Sequence, residues 1–132
     1  LTNIARDVFE DKDRKRQYIK PDFLSIKETI NESRTFYEKS FNSISSIPMR
    51  SRFSVIVARR VYRKIGDYIL KKKNIDNYIK AGKIYVPVFG KITQTVLSLF
   101  DFIKLLFVKE LNYDNHANHN ILKEEVNINE RI

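Results

Sequence analysis

The sequence opens with LTNIARDVFEDKDRK, residues 1–15, and this stretch decides the fold class. Its apolar residues recur every three or four positions, which is the period of an amphipathic α-helix, and they predict one helix over residues 1–15. The apolar side of that helix carries Leu1, Ile4, Ala5, Val8 and Phe9.

The opposite side of the same helix carries oxygen-bearing side chains at a regular interval. Asn3, Asp7 and Asp11 are spaced i, i+4, i+8, which places them on one face about 6 Å apart. Two carboxylates at that spacing repel each other unless a cation lies between them, and oxygen ligands suit Mg²⁺. The spacing is equally typical of a solvated helix, on which Glu10–Arg14 and Asp11–Lys15 would form ion pairs.

Three further helices are predicted along the chain. Asp22 can cap a second helix, whose apolar stripe consists of Phe23, Ile26, Ile30, Tyr37, Phe41 and Ile44. A break over 42–48 precedes a third helix, 49–73, and a fourth runs from about Val88 to Glu110. Residues 74–87 are predicted to be an irregular link, and residues 111–132 a disordered polar tail. Charges within the fourth helix exclude a transmembrane span.

Composition limits the functions that are open to the chain. Its 132 residues suffice for one small domain, and the absence of Cys excludes disulfides and thiolate chemistry, in keeping with a cytoplasmic protein. A net charge of +9 favours an anionic partner, which can be nucleic acid, an acidic membrane or a phosphorylated substrate. The basic cluster Arg50, Arg52, Arg59, Arg60, Arg63 and Lys64 is interpreted as a solvated helix surface. No aromatic stacking platform accompanies it, so nucleic acid is not expected as a partner.

The motif NIARDVFED, followed by Arg16, Tyr18 and Pro21, closely resembles the second aspartate-rich signature of squalene/phytoene synthases. That signature has the approximate form N-I-x-R-D-x-x-E-D, then R-x-Y-x-P. Lys15 stands where the family usually has Gly, and the connector before Pro21 is one residue longer. ARRVYRKIG, residues 58–66, and KIYVPVFGKI, residues 83–92, are similar to two later family segments, so the resemblance covers roughly residues 1–92.

The resemblance implies an all-α isoprenoid synthase fold, of which residues 1–110 would form about four helices of a larger bundle. It implies Mg²⁺, with Mn²⁺ as a substitute, held by Asp7 and Asp11 with support from Asn3. Substrate-binding roles are implied for Arg6, Arg16, Tyr62 and Lys83. Lys83 stands where the family commonly has an Arg that contacts diphosphate. Alternative roles are an Arg6–Glu10 ion pair, an Arg16 that orders the connector and a Tyr62 that packs in the core.

The activity implied is head-to-head condensation of two geranylgeranyl diphosphates to phytoene. A squalene or dehydrosqualene synthase that uses farnesyl diphosphate is the alternative, with NADPH required only for squalene. An alternative from a different functional class is that the chain is a non-catalytic basic helical module that binds nucleic acid or a protein partner. The first aspartate-rich motif is expected in an N-terminal half outside this sequence, so these residues alone are expected to be inactive. Peripheral membrane contact through 88–107 is the alternative to core packing of that segment.

Overall fold

A computed structural model describes residues 1–108 and shows an all-α arrangement over that range, which confirms the predicted class. The helices are α1 (Thr2–Arg6), α2 (Val8–Asp13), α3 (Phe23–Lys39), α4 (Met49–Leu70), α5 (Ile75–Lys80) and α6 (Val88–Leu106). A 3₁₀ turn, Asn42–Ser46, fills the break that was predicted between α3 and α4. The predicted polar tail, 111–132, lies outside the described residues.

The predicted helix over residues 1–15 is interrupted at Asp7, so the prediction of one continuous helix is wrong. Asp7 has φ −106° and ψ 17°, which separates α1 from α2. The backbone N–H of Asp7 still donates to Asn3 O at 2.8 Å, and that of Asp11 to Asp7 O at 2.8 Å. Asn3, Asp7 and Asp11 therefore remain one turn apart along the same side of a kinked helix.

The end of α2 is a Schellman motif with Lys15 in the left-handed conformation. The N–H of Arg16 donates to Asp11 O at 2.7 Å, and the N–H of Lys15 donates to Lys12 O at 3.0 Å. This pattern requires a positive φ at the first residue after the C-cap. That residue is Lys15, and its φ is 59°. Glycine is the usual residue at that place because it has no Cβ to strain the backbone.

The short helix α5 lies inside the segment that was predicted to be an irregular link. Asn74 caps it by accepting a hydrogen bond from the N–H of Asn77 at 2.8 Å. It ends at Lys80, and Gly82, two residues later, has φ 60°. Both residue types are ordinary helix boundary signals, so the sequence did contain the information that defines this helix.

The larger core joins α1, α2, α3, α4, α5 and the segment after α5. Its buried members are Ala5, Val8, Ile26, Ile30, Ile65, Ile69, Tyr78, Ile84 and Val86. Asp22 caps α3 as predicted, because its carboxylate accepts a hydrogen bond from Ser25 N at 2.8 Å. Gly66 allows α3 and α4 to approach closely, since a Cβ at that position would lie 3.1 Å from Ile30 Cγ2.

A second core of Ile44, Ile56 and Leu105 joins α6 and the 3₁₀ turn to α4. The side chain of Phe53 packs edge to face against Phe102, with ring centroids 6.1 Å apart. None of the helices in the described range is long and apolar enough to cross a membrane.

The basic cluster of α4 is not a solvated surface, so that interpretation is wrong for most of its members. Arg59 donates two hydrogen bonds to Tyr37 O, and Arg60 Nε lies 2.6 Å from Asp101 Oδ2. Arg63 pairs with Glu38, Lys64 pairs with Asp67, and Arg52 donates to the carbonyls of Ser45 and Ile47. Apart from the Lys64–Asp67 pair, which lies within α4, these contacts tie α4 to α3, to α6 and to the 3₁₀ turn.

Replacement of Lys15 by Gly is expected to stabilise the protein. Removal of the Cβ relieves left-handed strain, which is partly offset by the greater freedom of the unfolded chain, so the expected gain is about 0.5–1 kcal/mol. Lys12→Gly in the interior of α2 is the matched control, and it should destabilise the protein by about 1 kcal/mol. Urea unfolding measures both free energies. Destabilisation of equal size by the two changes would contradict the assignment of Lys15 to the left-handed region.

Candidate functional site

An extended segment after α5 carries two exposed side chains to the kinked helix. Ile84 and Val86 are buried in the larger core, so the alternate residues Lys83 and Tyr85 face outward. Lys83 Nζ lies 2.7 Å from Glu10 Oε2 and 3.5 Å from Asp7 Oδ1. The guanidinium carbon of Arg6 lies 5.9 Å from the centre of the Tyr85 ring. Residues far apart in sequence therefore meet at the junction of α1 and α2.

Asp7 is the centre of this group of charges. Arg6 binds both carboxylate oxygens, with Nε 2.9 Å from Oδ1 and Nη2 2.7 Å from Oδ2. The side chains of adjacent residues do not normally face each other on a helix. Because the helix is interrupted at Asp7, the side chains of Arg6 and Asp7 can form an ion pair. The hydrogen bond from Arg6 lowers the pKa of Asp7, although partial burial opposes this effect, and Lys83 lowers that pKa further. Asp7 is therefore ionised at neutral pH, as a metal ligand must be.

Glu10 bridges two cations on the adjacent turn. Besides Lys83, it pairs with Arg14 at 2.8 Å, which confirms that predicted i, i+4 contact. The hydrogen bond from Lys83 lowers the pKa of Glu10. The predicted Arg6–Glu10 ion pair is wrong, because Arg6 binds Asp7 instead. The predicted Asp11–Lys15 pair is also not formed within the described residues, since the chain turns at Lys15.

Tyr78 of α5 fixes the kink from inside the protein. Its hydroxyl lies 3.0 Å from Ala5 O and 2.5 Å from Arg6 O, and it donates its single proton to these carbonyls at the end of α1. The last carbonyls of a helix have no intrahelical partner, so this hydroxyl satisfies a need that the interruption creates. The Tyr78 ring also packs against Phe9, with centroids 5.9 Å apart. Burial raises the pKa of Tyr78 to about 12.

A cleft of about 190 Å³ opens beside these groups. Its apolar side is formed by Phe9, Tyr78 and Ile79, and its charged side by Arg6, Asp7, Glu10 and Lys83. Pockets that hold whole small ligands usually measure about 300–1,000 Å³, so this cleft fits one charged group rather than a complete isoprenoid.

A larger cavity, of about 590 Å³, lies between α3, α4 and α6. Its charges are already paired across the helices, as Arg34 with Asp67 at 2.7 Å and Arg60 with Asp101 at 2.6 Å. Those pairs hold the helices together, and the smaller cleft is the better candidate for a functional site.

The structure brings together only some of the residues that were predicted to form the site. Arg6, Asp7 and Lys83 meet, whereas Asn3 is exposed one turn before Asp7 and Asp11 lies half-buried one turn after it. Within residues 1–108, no set of three or more Asp, Glu, His or Cys side chains is placed to hold a metal. The proposed ligand set includes only two such side chains, with an amide as the third.

Arg16 and Tyr62 lie outside the cleft. Arg16 is exposed just beyond α2. Tyr62 is 40% exposed, so it is not a core residue, and it lines a separate groove of about 410 Å³ with Tyr37 and Ile47. Sequence reasoning missed Glu10 as the partner of Lys83, and it missed Tyr78. The cap at Asn74 and the stop at Gly82 are the signals that could have placed Tyr78 on a helix.

The chain matches no protein-family model, no curated protein and no solved structure. Assignment of a function therefore depends on the residues of this chain and on the way they are arranged.

Replacement of Tyr78 by Phe is expected to lower the free energy of unfolding by about 1 kcal/mol at neutral pH, because the carbonyls of α1 lose a hydrogen bond. The pKa of Tyr78 is raised in the folded state, so its ionisation destabilises the fold. This contribution is intact below about pH 10 and is lost as pH rises to about 12.

Urea unfolding at pH 8 and pH 11.5 measures this effect. The wild type should lose about 2 kcal/mol more than Tyr78→Phe over that range. The matched control is Tyr18→Phe, because Tyr18 is 63% exposed and should leave the pH dependence unchanged. An identical pH dependence in wild type and Tyr78→Phe would show that the hydroxyl is not buried against α1.

Proposed function

We propose that this chain is the C-terminal part of a squalene/phytoene synthase-type prenyltransferase, and that the cleft at the α1–α2 kink binds an isoprenoid diphosphate together with Mg²⁺. One observation carries the proposal. Two segments that resemble motifs of the same family, NIARDVFED and KIYVP, are 73 residues apart and meet where Lys83 contacts Glu10. A chance resemblance in either segment gives no reason for the two to be in contact.

The backbone at Lys15 supports the same alignment. The family usually has Gly at this position, and Lys15 adopts φ 59°, the conformation that Gly favours. Lys15 therefore differs from the family's glycine in its side chain, while its backbone has the left-handed conformation that glycine favours. The segment ARRVYRKIG lies within α4. The family segment that it resembles is likewise on a helix that follows the aspartate-rich motif.

The charges around Asp7 fit a metal ion only in company with an anion. Asp7 is ionised, and Asp11 and Asn3 lie one turn to either side of it. Arg6 and Lys83 lie against Asp7, and they would repel a bare divalent cation. A diphosphate carries enough negative charge to attract both the metal and these two cations. Asp7, Asp11 and Asn3 would then hold the metal beside it.

Each side chain of the cleft has a distinct role in this proposal. Lys83 and Arg6 bind phosphate oxygens, with Arg6 able to offer two parallel N–H donors. Glu10 and Asp7 hold those cations in position before substrate arrives, which reduces the ordering required on binding. Phe9 and the Tyr78 ring keep water from one side of the bound group. Magnesium, when bound, neutralises the charge that develops on the leaving diphosphate.

The proposed reaction joins two geranylgeranyl diphosphates head-to-head to give phytoene. Squalene and dehydrosqualene synthesis from farnesyl diphosphate use the same diphosphate chemistry, so the choice depends on the space available for the hydrocarbon chains. The activity assay therefore uses both geranylgeranyl diphosphate and farnesyl diphosphate.

Binding of magnesium and pyrophosphate to the 132-residue chain should be mutually dependent. We expect inorganic pyrophosphate to raise the affinity for Mg²⁺ by about tenfold or more, and Mg²⁺ to raise the affinity for pyrophosphate equally. Isothermal titration calorimetry in both orders of addition measures the two factors. Asp11→Asn should reduce the coupling, whereas Asp13→Asn on the last turn of α2 should leave it unchanged. Equal effects of the two substitutions, or tight Mg²⁺ binding without pyrophosphate, would exclude this site.

Turnover by the complete gene product tests the activity itself. With Mg²⁺ and geranylgeranyl diphosphate it should form phytoene, and Asp7→Asn or Asp11→Asn should lower the rate by about a hundredfold or more. Asp13→Asn is again the control, and thermal unfolding checks that each variant is folded. A C30 product from farnesyl diphosphate would indicate the dehydrosqualene alternative, or squalene if NADPH is required. A folded protein that makes no product from either substrate would favour the non-catalytic basic module.

A further inference from the structure

The cavity between α3, α4 and α6, here called the arginine cavity, contains more positive than negative charge. Five cationic and three acidic side chains line its volume of about 590 Å³, so two positive charges have no acidic counterpart among its lining residues. The cations are Arg34, Arg59, Arg60, Arg63 and Lys64, and the acids are Glu38, Asp67 and Asp101. The arginine cavity shares no lining residue with the cleft at the α1–α2 kink.

The excess of positive charge arises at Asp67 and at Arg59. A single carboxylate, that of Asp67, serves both Arg34 at 2.7 Å and Lys64 at 3.6 Å. The ion pairs of residues 1–108 do not include Arg59, which donates instead to the uncharged carbonyl oxygen of Tyr37 from Nε at 2.9 Å and Nη2 at 2.6 Å. Burial lowers the pKa of Arg59, and the nearby positive charge of Arg63 lowers it further. An anion in the cavity would relieve this repulsion.

The arginines use only part of their hydrogen-bonding capacity on the protein. Arg60 donates to Asp101 through Nε, and Arg63 donates to Glu38 through Nη2. Every buried polar side-chain atom of the described residues has a hydrogen-bond partner, so the unused N–H groups of these arginines are open to solvent. The contacts with the protein hold the guanidinium groups in position before a ligand arrives, which reduces the ordering required on binding.

The arginine cavity lies on the opposite side of α4 from Tyr62. At 100° per residue, Arg60 and Lys64 are each about 160° from Tyr62 around the helix axis. The resemblance to the synthase family implies a substrate-binding role for Tyr62. Further helices that enclose a substrate beside Tyr62 would therefore lie on the far side of α4 from the arginine cavity.

We propose that the arginine cavity binds the phosphate group of a small phosphorylated metabolite. A phosphate monoester carries about two negative charges at neutral pH, which matches the excess of two positive charges in the cavity. Guanidinium groups hydrogen-bond to phosphate oxygens in pairs, and the cavity volume lies in the range of pockets that hold small organic ligands. Leu97 at the edge of the cavity offers apolar contact to the organic part of the ligand. This proposal requires neither the metal nor the diphosphate cleft.

Phenyl phosphate is a suitable probe, because it combines a dianionic phosphate with a small apolar group. Isothermal titration calorimetry in the presence of EDTA, which removes divalent metal ions, should show one binding site per 132-residue chain. Phenyl sulfate has a similar shape and a single negative charge. It should bind about tenfold more weakly than phenyl phosphate, because the attraction to the arginines depends on the charge of the ligand.

Substitutions that remove one cation of the cavity test the location of the site. Arg63→Gln leaves only the exposed Glu38 without its partner, and Lys64→Gln leaves Asp67 paired with Arg34, so both variants should remain folded. Thermal unfolding checks this expectation. Each substitution should weaken the binding of phenyl phosphate by about fivefold, because the phosphate loses one charged donor.

Two control variants separate this site from other basic surfaces. Arg50→Gln is the matched control for Arg63→Gln, since Arg50 is an exposed residue on the first turn of α4 and does not line the cavity. Lys83→Gln removes a cation from the cleft at the α1–α2 kink. Neither substitution should change the affinity for phenyl phosphate.

Any of four results would overturn the proposal. They are the absence of phenyl phosphate binding, equal affinities for phenyl phosphate and phenyl sulfate, equal effects of Arg50→Gln and Arg63→Gln, and loss of binding in Lys83→Gln. Tight binding of single-stranded oligothymidylate that strengthens with its length, and with which phenyl phosphate does not compete, would also overturn it in favour of a nucleic-acid partner.

Discussion

The hydroxyl of Tyr78 is the contact on which the candidate site depends. Helix α1 ends after five residues, and its last carbonyls lie inside the protein, where an unsatisfied carbonyl costs about 1–3 kcal/mol. Tyr78 supplies the missing donor. The same residue belongs to α5, so the bond holds α5, and the segment that follows it, against the α1–α2 kink. The position of Lys83 against Asp7 follows from this arrangement.

Two groups of charged residues in the described chain differ in their surroundings. Between α3, α4 and α6, each acidic side chain has a cationic partner on another helix, so these pairs determine how the helices pack. At the α1–α2 kink, Asp7, Glu10 and Lys83 lie beside an open cleft with an apolar wall. The pairs that Glu10 forms with Lys83 and Arg14 are exposed, and such pairs typically contribute about 0–1 kcal/mol to stability, so stability alone does not explain them. Recognition of a charged ligand is an explanation that accounts for both the cleft and the charges.

Local signals allowed much of the fold to be predicted from the sequence. The cap at Asp22, the break at 42–48 and the apolar period of α4 depend on residues close together in the chain, and the structure has the expected helices there. The kink at Asp7 could not be predicted in this way, because the group that satisfies the carbonyls it leaves unpaired, the Tyr78 hydroxyl, lies more than 70 residues away. The basic cluster was misjudged for the same reason, since its acidic and carbonyl partners lie on other elements. For α6, the sequence indicated an apolar helix in this position but gave no information on which of its sides contacts the protein.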